Sequence, residues 1–270
     1  MDEDDAQTLI AKSYAQVNVW RLRLHHPCVP EPGSDLHCDD LVDALRTYSP
    51  SQLSYAALGS ARDHLGSFHE HVQNRQLHPF ADQSLLRTAI SSSANACWLL
   101  APATMEQRVK RARCFAAETL KYHVQYLKNT AGFVGLTPTE QSRNLEVLTA
   151  AQDVQSRLSE LRADADERTT FNQTAVIEVA VSDAFKTQDG NALSREALAE
   201  WQRSSGAAHG LSWSILGIPS TRQVSDTDNN GVATFAAGGS FASVVNAHQL
   251  ALLLSKHAWQ LFDQRLKVEV

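Results

Sequence analysis

Long hydrophobic runs are absent from this sequence. No stretch approaches the roughly 18 apolar residues needed to cross a bilayer, so no membrane partner is expected. Cysteine is scarce: Cys28, Cys38, Cys97 and Cys114 are too few and too scattered for a disulfide scaffold. There is no excess of positive charge either. The net charge of −6 argues against non-specific attraction to nucleic acid or anionic lipid, although a local basic patch can still hold phosphate. The first residues, Met1-Asp2-Glu3-Asp4-Asp5, are acidic where a secretory leader is basic, and a cytoplasmic location is expected. There is no Gly-x-Ser-x-Gly elbow, which sets aside serine nucleophile chemistry of that kind. Without a P-loop or a Gly-x-Gly-x-x-Gly run, nucleotide binding has no motif to support it, and no cofactor is expected.

What is present is an ordinary globular balance, 43% hydrophobic and 20% charged over 270 residues, enough to bury a sizeable core. Apolar residues recur at helical spacing through most of the chain, and the expected fold is all-α. It is read as an irregular helical bundle of about seven helices with a short β-hairpin before the C-terminal helix. A first helix is expected over 4–25, ended by a loop from His25 to Gly33 with three prolines and a glycine. That loop marks residues 1–30 as an N-terminal helical arm and 31–270 as a single helical-bundle domain. Further helices are expected over 39–47, 51–75, 82–101, 105–128 and 138–162, the last opened by Thr137 and Pro138 as a cap and a first-turn proline. Residues 174–181 are β-branched and lean towards a short helix. The next helix runs from 191 to near Gly217, and Asn230-Gly231 between short alternating runs signals a hairpin. The final helix is expected over 240–266.

The titratable chemistry concentrates in Trp201-Gln202-Arg203-Ser204-Ser205-Gly206-Ala207-Ala208-His209-Gly210-Leu211-Ser212-Trp213. His209 has the pKa range for acid/base work, and Arg203 can grip a phosphate or carboxylate with a bidentate fork. Residues six apart on an ideal helix differ by about 120° in azimuth, so the two share a site only if Gly206 distorts the helix or a ligand or second subunit spans them. The structural alternative is a His that caps the helix or packs in the core, beside a glycine chosen for close contact. Two runs of small residues, Ser91 to Ala96 and Ser204 to Ala208, suggest that their helices pack together. That packing would bring Arg87 near His209. Arg108, Lys110, Arg111 and Arg113 form a basic cluster on one helix, either a patch for an RNA backbone or a solvated face. Arg87, Arg108, Arg111 and Trp213 are therefore the candidate binding residues.

Two metal readings arise and neither is adopted. His25, His26, Cys28, His37 and Cys38 are zinc-type ligands without a standard spacing. Asp226-x-Asp228-x-Asn230-Gly231 imitates half of a calcium loop, but Ala237 stands where a bidentate Glu belongs. No metal is expected.

Leu86-Arg87, Cys97 to Pro102, Glu106 to Arg111 and Arg203 to Gly210, in that order, resemble a group of uncharacterised all-helical proteins common in actinobacteria. The resemblance covers roughly residues 51–260, and the shared element is a Ser-Gly-x-Ala-His-Gly motif. Members carry an acidic residue one turn after the first Arg, where this chain has Ser91, and that departure weakens any Arg–Glu pairing. The spacing of Arg203 and His209 also resembles the Arg-x(4–6)-His motif of HEPN domains, many of them metal-independent ribonucleases of toxin and phage-defence systems. That resemblance implies His209 activating an RNA 2′-hydroxyl, Arg203 neutralising the scissile phosphate, and a composite site across a homodimer. The alternative is a non-catalytic helical protein that binds a partner or a small ligand.

Overall fold

The computed structural model describes residues 1–185, 190–216 and 218–268. In chain order the helices are α1 (Glu3–Ala11), α2 (Tyr14–Arg23), α3 (Asp35–Asp43), α4 (Pro50–Gln73), α5 (Ala81–Leu100), α6 (Met105–Ala131), α7 (Pro138–Asp164), α8 (Gln173–Phe185), α9 (Gly190–Ala208) and α10 (Phe241–Leu266). A hairpin of β1 (Thr221–Gln223) and β2 (Phe235–Ala237) precedes α10, paired antiparallel with Arg222 opposite Ala236. The fold is all-α, 72% helical, and carries the expected hairpin. Among the described residues, no helix is long and apolar enough to cross a membrane.

The chain divides into two compact units. The first comprises Met1–Val29, Ser54–Ala101 and Gln173–Gln264, and the second Pro30–Leu53, Pro102–Asn172 and Arg265–Val270. Residues 1–29, which the sequence presents as an arm, thus fall within the first unit, for a plain packing reason. Ala6, Ile10, Val17 and Trp20 are buried, Trp20 stacks on Trp259 with ring centroids 6.4 Å apart, and Arg23 holds Asp263 while its guanidinium lies 4.1 Å over the Trp259 ring. An apolar stripe of this kind has to be covered, and here α1 and α2 serve as core helices.

The single helix expected over 4–25 is two helices, divided at Lys12 and Ser13. No proline or glycine marks the break; instead the Ser13 hydroxyl donates to the Ile10 carbonyl at 2.7 Å, the local competition that makes serine a poor helix-interior residue. Elsewhere in the unit, α5, α8 and α9 pack on one another, with Leu86, Ile90, Ile177 and Val181 buried. The β-branched 174–181 segment is helical within α8.

In the second unit, α3 starts four residues before the expected position, because Ser34 caps it by accepting from the His37 amide. The pair α6 and α7 forms a helical hairpin over Val124, Leu127, Leu148 and Ala151. Its second helix opens on a capping box in which Thr137 and Glu140 bond reciprocally to each other's backbone amides.

Candidate functional site

The stretch from Trp201 to Trp213 comprises the end of α9 and the turn beyond it. The helix runs undistorted through Gly206 and stops at Ala208 rather than near Gly217, which itself lies outside the described residues. Gly210 turns into the left-handed region at φ +69, its amide donates to the Ala207 carbonyl, and the Leu211 amide donates to the Gly206 carbonyl. This is a Schellman stop, and it makes His209 the C-cap residue. His209 is exposed, and none of the described residues bonds to its ring. Gly206 answers a different need: a Cβ there would stand 2.6 Å from the Trp213 ring. The indole itself stays 53% exposed.

Arg203 turns the other way. It donates to the Glu200 carboxylate at 2.7 Å and to the Ser243 carbonyl in the first turn of α10 at 2.9 Å. The two helices that carry the small-residue runs do pack on each other, with the runs themselves offset along them. Trp201 donates its indole N–H to Ser91 at 2.8 Å, Ser204 donates to Gln83, and Arg87 donates its Nε to Ser205 at 3.1 Å. Arg87 therefore reaches α9 one turn before His209. It does so as a packing residue, its guanidinium 5.8 Å over the Trp201 ring.

The basic cluster on α6 belongs to the second unit. Arg108, expected to face away from the core, is only 2% exposed there, forked onto Asp39 at 2.6 and 3.0 Å and donating to the Pro102 and Ala103 carbonyls. Arg113 is forked onto Asp43 and also meets Glu167. A guanidinium spent on a buried carboxylate cannot also neutralise a phosphate, so Arg108 drops out of the RNA-facing patch. Lys110 is exposed and Arg111 half-buried.

Neither metal reading finds a nest of ligands. His37 and Cys38 lie within α3 rather than in a loop. One carboxylate oxygen of Asp228 accepts from the Asn230 and Val232 amides and so shapes its own turn. Among the described residues, no three His, Cys, Asp or Glu side chains converge in a way that suits a metal ion.

A site that sequence reasoning passes over lies between α2 and α4 in the first unit. A groove of about 420 Å³ is lined by Tyr14, Asn18, Arg21, Arg62, His69 and Glu70, among others. Arg62 is only 20% exposed; its nearest carboxylate, Asp63, is 3.5 Å away, and its Nε is buried with no hydrogen-bond partner. Gly66 leaves room for that guanidinium to lie back along its own helix, since a Cβ would sit 3.2 Å from it. Arg21 donates only to the side-chain oxygen of Asn18.

At the inner edge of the groove, His69 meets His248 of α10 with Nε2 atoms 3.1 Å apart, and Ser13 Oγ lies 3.0 Å from the first and 3.1 Å from the second. Tyr14 packs its ring edge on His69 at 4.4 Å, and Phe68 lies 5.5 Å from His248. All three polar groups are buried, at 4, 5 and 0% exposure for Ser13, His69 and His248. Burial holds His69 down to about 4, and burial together with its neighbour His69 holds His248 down to about 3, so both rings are neutral at pH 7. Two neutral imidazoles this close satisfy each other as one N–H donor and one lone-pair acceptor. Gln249 lies 3.2 Å from His248 Nδ1, and its amide donating there leaves the proton of His248 on Nε2. Elsewhere in this unit His71 sits on Asp82 at 2.6 Å and His257 on Asp183 at 2.9 Å. The His69–His248 pair has no such carboxylate. The sequence signal is a histidine inside an apolar stripe on each of two long helices.

Compared with protein families, with curated proteins and with solved structures, the chain matches none.

Proposed function

We propose that this chain is a non-catalytic helical protein that binds a small ligand in the groove between α2 and α4. The observation that carries this reading is Arg62, a guanidinium on the groove wall whose carboxylate contact, Asp63, is a long 3.5 Å. Its terminal nitrogens keep donors for a ligand acceptor. Concave shape and a few convergent polar groups are what small-molecule seats share. At the end of α9, His209 serves as a helix C-cap and Arg203 is engaged by Glu200 and Ser243. Both roles suit a structural part for the motif that resembles HEPN ribonucleases.

The test is thermal unfolding of the full chain against a panel of small acids, with Arg62→Ala alongside. A ligand at a hundredfold its Kd stabilises by about 3 kcal/mol. That should raise the Tm by several degrees at this chain length, roughly 2–4 °C per kcal/mol. The shift should vanish in Arg62→Ala. If no acid distinguishes wild type from Arg62→Ala, the groove is not a binding seat. Cleavage of RNA by wild type, lost in His209→Ala at unchanged Tm, would overturn the proposal in favour of the ribonuclease.

A further inference from the structure

We infer that the groove takes an oxyanion, a carboxylate or phosphate-type group, and that binding it draws a proton into the buried His69–His248 pair. This rests on the groove being a ligand seat and adds the class of ligand and its coupling to pH.

The charge lining the groove comes from Arg21 and Arg62 against a single carboxylate, Glu70, which is exposed. Two guanidiniums, one bonded to Asn18 and the other only loosely to Asp63, recognise an anion by shape as well as by charge. The hydroxyl of Tyr14 makes only a long 3.4 Å bond to the His69 carbonyl and can also turn to a ligand.

His69 lines the same groove and accepts at Nε2 from His248 behind it. The neutral pair already holds one proton between its Nε2 atoms, so an added proton goes to His248 Nδ1, where the Gln249 amide turns over to present its oxygen. Among the described residues, nothing around the rings supplies a counter-charge for that proton. Ser13 and the Ile10 carbonyl face the pair from the α1–α2 junction, Tyr14 and Arg21 from α2, Phe68, Arg62 and Glu70 from α4, and Gln249 from α10. Glu70 is the one acid among them, and it is open to solvent. Arg21 and Arg62 add to the repulsion. An anion seated on the arginines reverses this local field, so the pair holds its proton more readily when the groove is occupied. By linkage, the affinity for the anion must then rise as pH falls, by up to about tenfold per pH unit between the proton affinities of the occupied and empty states.

Inorganic sulfate is a suitable probe, because it stays fully ionised across the range used. Titration calorimetry on the full chain from pH 7.5 to 5.0 should show tightening binding and proton uptake, read as a dependence of the heat on buffer ionisation enthalpy. His248→Gln should bind sulfate with a flat pH profile, and Arg62→Ala should lose binding at every pH. A second reading covers the case in which His248→Gln does not fold. Side-chain nitrogen NMR of the wild-type chain at pH 6 should then show a histidine resonance moving to the imidazolium position on adding sulfate. Sulfate bound, and lost in Arg62→Ala, but with no pH slope and no imidazolium signal overturns the proton coupling and leaves the groove reading standing. If sulfate binds at no pH, or Arg62→Ala leaves its binding unchanged, both fail.

Discussion

The two units bury polar groups by opposite means. In the second unit, α3 presents Asp35, Asp39 and Asp43 one turn apart, and each meets an arginine: Arg265, Arg108 and Arg113. The charges stay on and cancel locally, with backbone carbonyls taking up the remaining N–H groups of Arg108. In the first unit, His69 and His248 meet in the core with no acid at hand, and burial keeps them uncharged. One arrangement is a fixed ladder of ion pairs, whose value lies in each partner being present. The other is a neutral pair poised to take up charge, and its value changes with pH and with whatever occupies the groove beside it. A ladder of permanent charges suits a part that should not change, and a neutral titratable pair suits a part that responds.

Breaking the ladder should give the largest effect. Arg108→Met leaves the Asp39 carboxyl buried without its arginine, and should lower stability by about 3–5 kcal/mol in urea unfolding. Burial pushes the Asp39 carboxyl above its ordinary range even with Arg108 forked onto it, so desolvation, with Asp35 and Asp40 adding to it, outweighs the attraction. The double change Arg108→Met with Asp39→Leu should therefore recover most of the loss. A single variant close to wild type would mean that the charge pair carries no structural weight.

The neutral pair should show itself in the acid limb of stability. Both folded-state values lie below the ordinary 6.5, so the unfolded chain binds protons that the native chain refuses. Stability is full above pH 6.5 and falls as pH drops from there towards about 4 for His69 and about 3 for His248. The slope is on the order of 1 kcal/mol per pH unit for each imidazole. Urea midpoints for wild type and for His69→Gln with His248→Gln, compared between pH 6.5 and 5, should fall more steeply in wild type. Equal slopes would mean that the pair already carries charge.

How much of this is legible in the chain depends on the range of each interaction. The helices are readable because apolar spacing is local, and Thr137-Pro138 announces the start of α7. The break at Ser13 is not readable, since a serine bonding its own preceding turn leaves no mark in composition. Arg108 reads as facing away from the core because its carboxylate lies 69 residues earlier in the chain. His69 and His248 each sit visibly in an apolar stripe, but they are 179 residues apart, and pattern alone does not pair them. At α9 the chemistry of the letters misleads. Ala208-His209-Gly210 reads equally well as a reactive histidine among small residues and as a helix stop, and only the φ of Gly210 tells them apart.

The smallest effect expected concerns that same helix end, and its sign is informative. An alanine at position 206 would put its methyl carbon 2.6 and 2.9 Å from ring carbons of Trp213 and 3.1 Å from the Ser214 Cβ. Crowding of that kind costs about 1–3 kcal/mol, against about 1 kcal/mol gained from replacing a mid-helix glycine. Gly206→Ala should therefore lower stability slightly in wild type. In a Trp213→Ala background the ring is gone and only the 3.1 Å approach to the Ser214 Cβ opposes the propensity gain, so the same change should raise stability, by less than about 1 kcal/mol. That reversal, measured as a double-mutant cycle, would show that the glycine exists to seat the indole. If Gly206→Ala is stabilising in both backgrounds, the half-exposed Trp213 swings clear without cost, and the close contact does not explain the glycine.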